Sequence, residues 1–314
     1  MASTPYSKGL EDLGNGLYAW LQPDGSWGYS NAGLVTDSGR SLLVDTLFDL
    51  RLTREMLAAM ADATAAAASI ETLVNTHANG DHCYGNQLVS GATIIASQAS
   101  AQEMEEVPPA LMAEMLRNSA QLGPAGAFFE RIFGAFEFEG ITPTPPDETF
   151  EGELVRYVGD KEVHLIEVGP AHTRGDVLVH VPADEAVFTG DILFIDGTPI
   201  IWQGPVGNWI DACDRIIAMN PRIIVPGHGP LTDQAGVVGM RDYLVYIRDE
   251  ARKRYAAGMP AAEAARDIAL DDYSSWLDGE RIVVNVHTLY REFGDPSPPP
   301  NIVELFGLMA ELAR

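Results

Sequence analysis

The sequence predicts an α/β fold, because two patterns alternate along the chain. Short apolar runs that end in Gly- or Pro-containing turns are typical of strands, and the Ala-rich segment 53–68 favours a helix. With 314 residues, of which 46% are hydrophobic, the chain can bury one large core or two closely packed halves. The length therefore requires no separate module.

The predicted elements form two similar halves. Strands of the first half are expected at 17–20, 30–35, 41–44 and 70–74, with the helix before the last of them. The second half begins near Glu153 and again places strands before a helix, which is expected at 209–219. Both halves thus combine strands with at least one helix.

A dense cluster of metal-ligand side chains follows the strand at 70–74. Four candidate ligands lie within six positions of the loop at its end: His77, Asn79, Asp81 and His82. Imidazole and carboxylate suit zinc first, and iron or manganese next. Such a loop is also compatible with a simple hydrogen-bonded turn, in which Asn79, Gly80 and Asp81 serve as turn residues.

Three later segments favour the metal interpretation. Each is an apolar run with a ligand-type side chain just after it: His172 follows 163–168, Asp191 follows 186–188, and His228 follows Ile223–Val225. Four of the seven histidines therefore lie in turns at strand ends, whereas histidines with no shared task would be scattered.

With these motifs the chain resembles the metallo-β-lactamase-fold hydrolase superfamily. The family pattern is His-x-His-x-Asp-His, followed downstream by a His, an Asp and a His, and the resemblance extends from about Leu17 to Pro230. It implies a four-layer αββα sandwich whose active site lies in the seam between the two halves. Residues 1–230 would form this catalytic domain.

The resemblance also implies a set of metal ligands. One site would use His77, Asn79 and His172, a second site would use Asp81, His82 and His228, and Asp191 would bridge the two. Asn79 departs from the pattern, since most relatives have histidine there. An amide oxygen is a weaker and harder donor than imidazole. Three outcomes are open: one metal, two metals of unequal affinity, or a preference for iron or manganese. Alternatively, Asn79 points away and hydrogen-bonds the loop.

Such a centre implies hydrolytic chemistry. A metal lowers the pKa of bound water toward ~7, so that a metal-bound hydroxide attacks a polarised carbonyl. We therefore expect a hydrolase with one or two Zn²⁺ ions, or Fe or Mn, that cleaves an ester, lactone or thioester of a fairly apolar small molecule. Asp81 would be the catalytic proton acceptor as well as a ligand. An iron-dependent oxygenase and a metal-assisted lyase or cyclase are the alternatives.

Five further residues are candidates for supporting roles. Asp45 and Asp176 lie where the family places acidic groups that orient the ligating imidazoles, although either fits a helix or turn cap. Trp202, Trp209 and His287 are candidates for the substrate pocket. For the two tryptophans core packing is an equal alternative, and a lone helical histidine is more often structural.

Two regions fall outside the predicted scaffold. A helical insertion at about 97–138 is rich in Met and Phe, and it is interpreted either as a lid over an apolar substrate or as a helical pair that covers the core or forms a dimer face. Residues 231–314 predict a helical C-terminal extension on the same domain. Its helices are expected at 242–256, 261–269 and 280–293, with a last one after the Pro-rich turn at 296–300.

Charge and composition limit the partners. The chain has 20 Lys and Arg against 45 Asp and Glu, and this balance repels phosphate backbones. A nucleic-acid partner is therefore not expected, and a small-molecule substrate is. No apolar run of about 18 residues indicates a membrane span, and residues 1–14 lack the pattern of a signal peptide. A cytoplasmic location is predicted, and a homodimer stays open.

Overall fold

The computed structural model describes residues 6–23 and 27–313. Seven strands form the first sheet: β1 Gly9–Gly14, β2 Leu17–Leu21, β3 Ala32–Asp37, β4 Arg40–Val44, β5 Thr72–Val74, β6 Thr93–Ser97 and β7 Glu148–Phe150. Five form the second: β8 Glu153–Val158, β9 Lys161–Glu167, β10 Val177–Val181, β11 Ala186–Phe188 and β12 Ile223–Val225. The prediction of an α/β fold is confirmed.

The helices occur between strands and in the tail. The first five are α1 Leu50–Ala63, α2 Gly80–Cys83, α3 Gln98–Glu103, α4 Pro109–Arg117 and α5 Gly123–Phe133. The others are α6 Val206–Met219, α7 Gln234–Ala256, α8 Ala261–Asp267, α9 Ile282–Glu292 and α10 Ile302–Leu312. Within residues 6–23 and 27–313, none of the helices has the length and apolarity needed to cross a bilayer. The cytoplasmic location and the homodimer stay predictions.

Strand direction changes from antiparallel to parallel within each sheet. Strands β1 to β4 pair antiparallel and β4 to β7 pair parallel, whereas β8 to β11 pair antiparallel and β11 pairs parallel with β12. Strands β5, β11 and β12 are parallel to a neighbour and end immediately before ligand-bearing turns. Their carboxyl ends therefore supply most of the functional loops.

Alternating side chains show that the two sheets face each other. Leu42 and Val44 of β4 lie in one buried cluster with Val177 and Val179 of β10, whereas Leu43 lies in the other buried cluster, beneath the helices. Successive strand residues point to opposite faces, so each sheet buries both of its surfaces. This arrangement is the αββα sandwich that the sequence predicts.

Asn31 joins the two halves just before β3. Its backbone N–H donates to the carbonyl oxygen of Gly227 at 2.7 Å. Its side-chain amide donates to the carbonyl oxygens of Pro226 at 3.0 Å and Gly229 at 2.8 Å. A buried side chain of the first half therefore holds the backbone on both sides of His228.

Several predicted helix boundaries are wrong by about one turn or more. The helix expected at 53–68 is α1, which begins at Leu50 because the Asp49 carboxylate accepts the Leu52 N–H and caps it. After Ala63 the chain continues as a separate 3₁₀ turn. Helix α6 begins at Val206 instead of 209, and α7 at Gln234 instead of 242, where Asp233 caps it.

The insertion covers the core. Phe133 at the end of α5 contacts the rings of Trp27, Phe48 and Phe129 at centroid distances of 5.9, 5.5 and 4.9 Å. Phe306 of α10 packs on the same aromatic cluster. Of the two interpretations, the structure supports packing over the core, because these rings are buried against the sandwich and the tail.

Replacing Phe133 with alanine should therefore destabilise the whole chain. Phe133 is 7% exposed, and loss of a buried Phe ring costs about 3–5 kcal/mol in free energy of unfolding, measured by urea denaturation. Leu111→Ala is the control, since Leu111 on α4 is 39% exposed and should change stability by less than about 0.5 kcal/mol. Equal, small effects of both substitutions would support a detached lid instead.

Candidate metal centre

The loop after β5 places four ligand candidates in the seam. The Asn75 side chain donates to the carbonyl oxygen of His82 at 3.0 Å, and this contact folds α2 back over the strand end. His82 N–H also donates to the Asn79 carbonyl oxygen at 3.0 Å. His77 and His82 consequently lie side by side, with ring centroids 4.3 Å apart.

The four imidazoles converge on one carboxylate. Asp191 Oδ2 lies 3.7 Å from His77 Nε2, 3.3 Å from His172 Nε2 and 3.3 Å from His228 Nε2. Its other oxygen, Oδ1, lies 3.1 Å from His82 Nε2. Asp191 thus has the central position that the sequence analysis gives to a bridging ligand.

Asp81 completes the set on one side. Its Oδ2 lies 3.3 Å from His228 Nε2 and 3.9 Å from His82 Nε2. The side chains of Asp81 and His228 are 13% and 12% exposed, whereas those of His77 and His82 are fully buried. The Asp81 and His228 edge is therefore more accessible to a small molecule than the other side of the cluster.

Each imidazole is held by its outer nitrogen. The Nδ1 atoms face Thr76 Oγ1 at 3.1 Å for His77, Asp45 Oδ2 at 2.9 Å for His82, the Ile200 carbonyl oxygen at 2.8 Å for His172, and the Tyr29 carbonyl oxygen at 3.0 Å for His228. These contacts orient the rings, as outer partners do for metal-ligating histidines. Every Nε2 atom is left to face the interior of the cluster.

Two glycines leave room for close contacts around Asp191. A Cβ atom at Gly227 would lie 2.1 Å from Asp191 Oδ1, and one at Gly190 would lie 2.4 Å from Thr76 Oγ1. Gly190 also has a φ of +49°, which glycine adopts without strain. Gly227 therefore leaves room for the Asp191 carboxylate within the second half, and Gly190 allows the second half to approach Thr76 of the first.

The donor set fits a cation bound by nitrogen and oxygen. Within the part of the chain that the structure describes, His77 Nε2, His82 Nε2 and Asp191 Oδ1 are buried and have no hydrogen-bond partner. Two groups of three suit a metal ion, His77 with His82 and Asp191, and Asp81 with His82 and His228. Buried polar atoms without partners are costly, and a cation between them removes that cost.

Asn79 turns into the site. Its side-chain oxygen lies 2.7 Å from His172 Nε2, so the alternative in which it points away does not describe this structure. Because His172 Nδ1–H donates to a carbonyl oxygen, His172 Nε2 carries a lone pair directed at the amide. Two acceptors that face each other are satisfied by a cation, or by an amide rotated to donate its N–H.

Burial and neighbouring carboxylates give the four imidazoles two kinds of pKa, lowered for one pair and raised for the other. Burial lowers the pKa of His172 to about 4, and burial together with the adjacent His82 holds the pKa of His77 well below its usual value. Burial alone would also lower the other two pKa values. However, Asp191 and its neighbours raise the pKa of His228 to about 9 and that of His82 well above normal.

The neighbouring imidazoles lower the pKa values of the two carboxylates in the cluster. Burial would raise the pKa of Asp191 and Asp81, but the surrounding imidazoles hold both pKa values below the usual range. Both groups are therefore ionised at neutral pH, as ligands must be.

The two acidic residues predicted to orient the imidazoles, Asp45 and Asp176, make different contacts. Asp45 contacts the His82 ring and also accepts the backbone N–H and the hydroxyl of Thr76, each at 2.7 Å. Asp176 accepts the N–H and hydroxyl of Thr173 and fixes the loop that carries His172, and burial raises its pKa to about 7. Of the two, only Asp45 contacts an imidazole.

The three pocket candidates have different surroundings. Trp209 is fully buried, its Nε1–H donates to the Ile192 carbonyl oxygen at 2.9 Å, and its ring packs against His172, so the structure favours the core-packing alternative for this residue. Trp202 is half-buried against the core. His287 on α9 has Arg291 and Asp295 as its charged neighbours.

Some site residues carry no sequence signal. The Ile200 and Tyr29 carbonyls are backbone atoms, which any residue type supplies. Phe194 stacks on the His228 ring at 4.9 Å with an interplanar angle of 6°. The sequence analysis did not identify it, although it lies three residues after Asp191. A cavity of about 90 Å³ lies beside His228, lined by Phe194, Pro230, Leu277 and Arg281 among others.

Comparison with known proteins agrees with this geometry. The family profile of the metallo-beta-lactamase superfamily matches residues 25–228. The chain therefore belongs to the metallo-β-lactamase superfamily, and the prediction of a metallo-hydrolase is confirmed at the level of the family.

Individual relatives match a smaller part of the chain than the family profile does. A probable hydroxyacylglutathione hydrolase of Schizosaccharomyces pombe is 30% identical over 102 residues, which are 31% of this chain and 38% of that protein. A hydroxyacylglutathione hydrolase of Cereibacter sphaeroides is 34% identical over 99 residues, again 31% and 38%. The chain thus matches less than half the length of these curated relatives.

Solved structures show the same fold. A stereoselective inverting sec-alkylsulfatase from a Pseudomonas species aligns with a TM-score of 0.69 at 16% identity, over 93% of this chain and 52% of that one. A metallo-β-lactamase from Pontibacter korlensis aligns with a TM-score of 0.56 at 18% identity, over 75% and 98%.

Zinc affinity should fall as the pH falls below about 9. Metal binding requires neutral imidazoles, and the raised pKa of His228 means that zinc must displace its proton. Each displaced proton weakens apparent affinity about tenfold per pH unit. Competition with a chelator at pH 6, 7 and 8, corrected for chelator protonation, measures this slope. His228→Asn should reduce it, and a pH-independent affinity would contradict the assignment.

Asn79→His should strengthen the site that contains His172. Imidazole is a better zinc donor than an amide, so we expect the second equivalent of zinc to bind at least about tenfold more tightly. Elemental mass spectrometry and zinc titration of both proteins measure the metal count and affinity. Identical values in the two proteins would show that residue 79 does not ligate.

Proposed function

We propose that the chain is a zinc-dependent hydrolase that cleaves an ester, lactone or thioester bond in a fairly apolar small molecule. The observation that carries this proposal is the convergence of four imidazoles, each anchored through its outer nitrogen, on Asp191. Three buried polar atoms of this cluster have no hydrogen-bond partner among residues 6–23 and 27–313. When bound there, zinc supplies hydroxide at neutral pH and polarises a carbonyl group. His77, Asn79 and His172 would hold one ion, Asp81, His82 and His228 a second, and Asp191 would contact both.

Asp81 is the proposed proton acceptor. It lies at the accessible edge beside His228, and its lowered pKa keeps it ionised. An ionised carboxylate at this edge can accept the proton of a nucleophilic water and hold it during bond cleavage. Asp191 is less accessible, and its four imidazole neighbours suit it to a ligand role.

Three observations support the substrate class. The aligned relatives are named for an acylated glutathione, which is a small molecule with an acyl group. The cavity beside His228 is lined by apolar side chains such as Phe194 and Leu277, and it has room for a small apolar group. The net charge of −25 disfavours polyanionic substrates such as nucleic acids.

The proposal is tested by metal analysis together with a panel of substrates. Protein purified without chelators should contain zinc and hydrolyse members of a panel of aryl esters, lactones and acyl thioesters. His82→Ala and Asp191→Ala should lower kcat/KM at least roughly 10²-fold, because each removes a proposed metal ligand. His164→Ala is the control, since His164 lies on β9 beside His180, away from the cluster.

Two results would overturn the proposal. Full activity of the His82 and Asp191 variants on a confirmed substrate would exclude a mechanism that depends on this metal centre. Iron as the main metal, with oxygen consumed during turnover, would favour the oxygenase alternative.

A further inference from the structure

One backbone segment connects the C-terminal extension to the metal centre. We call residues 198–206 the strap. On one side the strap contacts the His172 loop: the N–H groups of Gln203 and Gly204 donate to the carbonyl oxygens of His172 and Ala171, at 3.2 and 2.8 Å. Its Ile200 carbonyl oxygen accepts His172 Nδ1–H at 2.8 Å.

On its other side the strap is held by α9 and the residue before it. Arg281 donates to the Thr198 carbonyl oxygen at 2.9 Å, and Thr288 Oγ1 donates to the Ile201 carbonyl oxygen at 2.8 Å. Glu292 accepts the Val206 N–H at 2.9 Å. These side chains lie on one face of the helix, because they are spaced by seven and four residues along it.

Asn285 is at the centre of this face. Its side-chain oxygen accepts the Ile201 N–H at 2.7 Å, and its amide nitrogen donates to the Pro199 carbonyl oxygen at 2.9 Å and to Tyr243 Oη at 3.1 Å. Asn285 thus fixes the peptide groups on both sides of Ile200. The Ile200 carbonyl belongs to the same planar peptide group as the Ile201 N–H, so the contact of that N–H with Asn285 sets the direction of the carbonyl.

A fully buried asparagine is costly unless its polar atoms are paired. An apolar residue would fill the same space in α9 without that requirement. The hydrogen bonds therefore indicate that this position serves the orientation of the strap in addition to packing.

We propose that Asn285 is a positioning residue for His172, acting through the Ile200 carbonyl. The proposal rests on the metal centre of the proposed function, in which His172 is a ligand. It concerns this imidazole alone, since His77, His82 and His228 are held by Thr76, Asp45 and Tyr29 of the first half. The C-terminal extension accordingly supports one of the four imidazoles of the metal centre.

The test compares three variants. Asn285→Leu keeps the side-chain size and removes the contacts to Pro199 and Ile201. Val283→Ala is the matched control, because Val283 is buried on the same helix about 200° around from Asn285. Thr288→Val removes one strap contact with little change of shape. It perturbs the strap less than Asn285→Leu does, so it serves as the test if Asn285→Leu does not fold.

Two readouts separate positioning from stability. The imidazole ¹⁵N shifts of His172 in metal-free protein at neutral pH, assigned with His172→Gln, report which nitrogen carries the proton. Zinc competition titration and the Co²⁺ absorption spectrum report ligation. For Asn285→Leu we expect a loss of the Nδ1–H preference, roughly tenfold weaker binding of the zinc that His172 holds, and an altered Co²⁺ spectrum. Thr288→Val should show the same changes in smaller measure, and Val283→Ala should show only lowered thermal stability.

The proposal is overturned if Asn285→Leu, or Thr288→Val in its place, keeps the wild-type tautomer and zinc affinity. It is also overturned if Val283→Ala weakens zinc as much as Asn285→Leu does. Failure of the wild-type protein to bind zinc would instead defeat the proposed function, and the ¹⁵N shifts of the metal-free protein would still decide the role of Asn285.

Discussion

The structure depends on burying ionised carboxylates beside imidazoles whose inner nitrogens all face one point. Asp191 has four imidazole nitrogens within 3.7 Å, and such a charge is stable in a nearly dry seam only if cationic partners surround it. The parallel strands meet this requirement, because β5, β11 and β12 end at the same seam and deliver their loops there. The four contacts to Nδ1 then remove the rotational freedom that would let any ring turn away.

Much of this arrangement was predictable because ligands are side chains and strand ends are marked by turns. The order of apolar run, turn and ligand identified His77, His82, His172, Asp191 and His228 as residues that the fold brings together.

What the sequence did not predict depends on backbone atoms and on distant partners. The carbonyls of Tyr29 and Ile200 have no residue-type signature, and the burial of Trp209 behind His172 is set by how α6 packs. Helix starts were missed where a single cap, such as Asp49 or Asp233, begins the helix earlier than the apolar pattern does.

The insertion and the tail complete the sandwich in different ways. The Phe-rich insertion and α10 form an aromatic layer with Trp27 and Phe48 over the first sheet, and their role is burial. Helix α9 instead contributes polar side chains that hold the strap. The amino-acid composition of these regions distinguishes burial from strap-holding only in part. In sequence, a buried asparagine in an apolar helix looks the same as a solvent-facing one.

The Asn31 contacts to the backbone around His228 tie the two sheets together at the metal-ligating turn itself. Separating the halves therefore breaks the site, and a ligand that binds only the intact site stabilises the whole chain by mass action, not one half of it. The fraction of unfolded chain, and with it susceptibility to proteolysis, would then follow the free metal concentration of the surroundings.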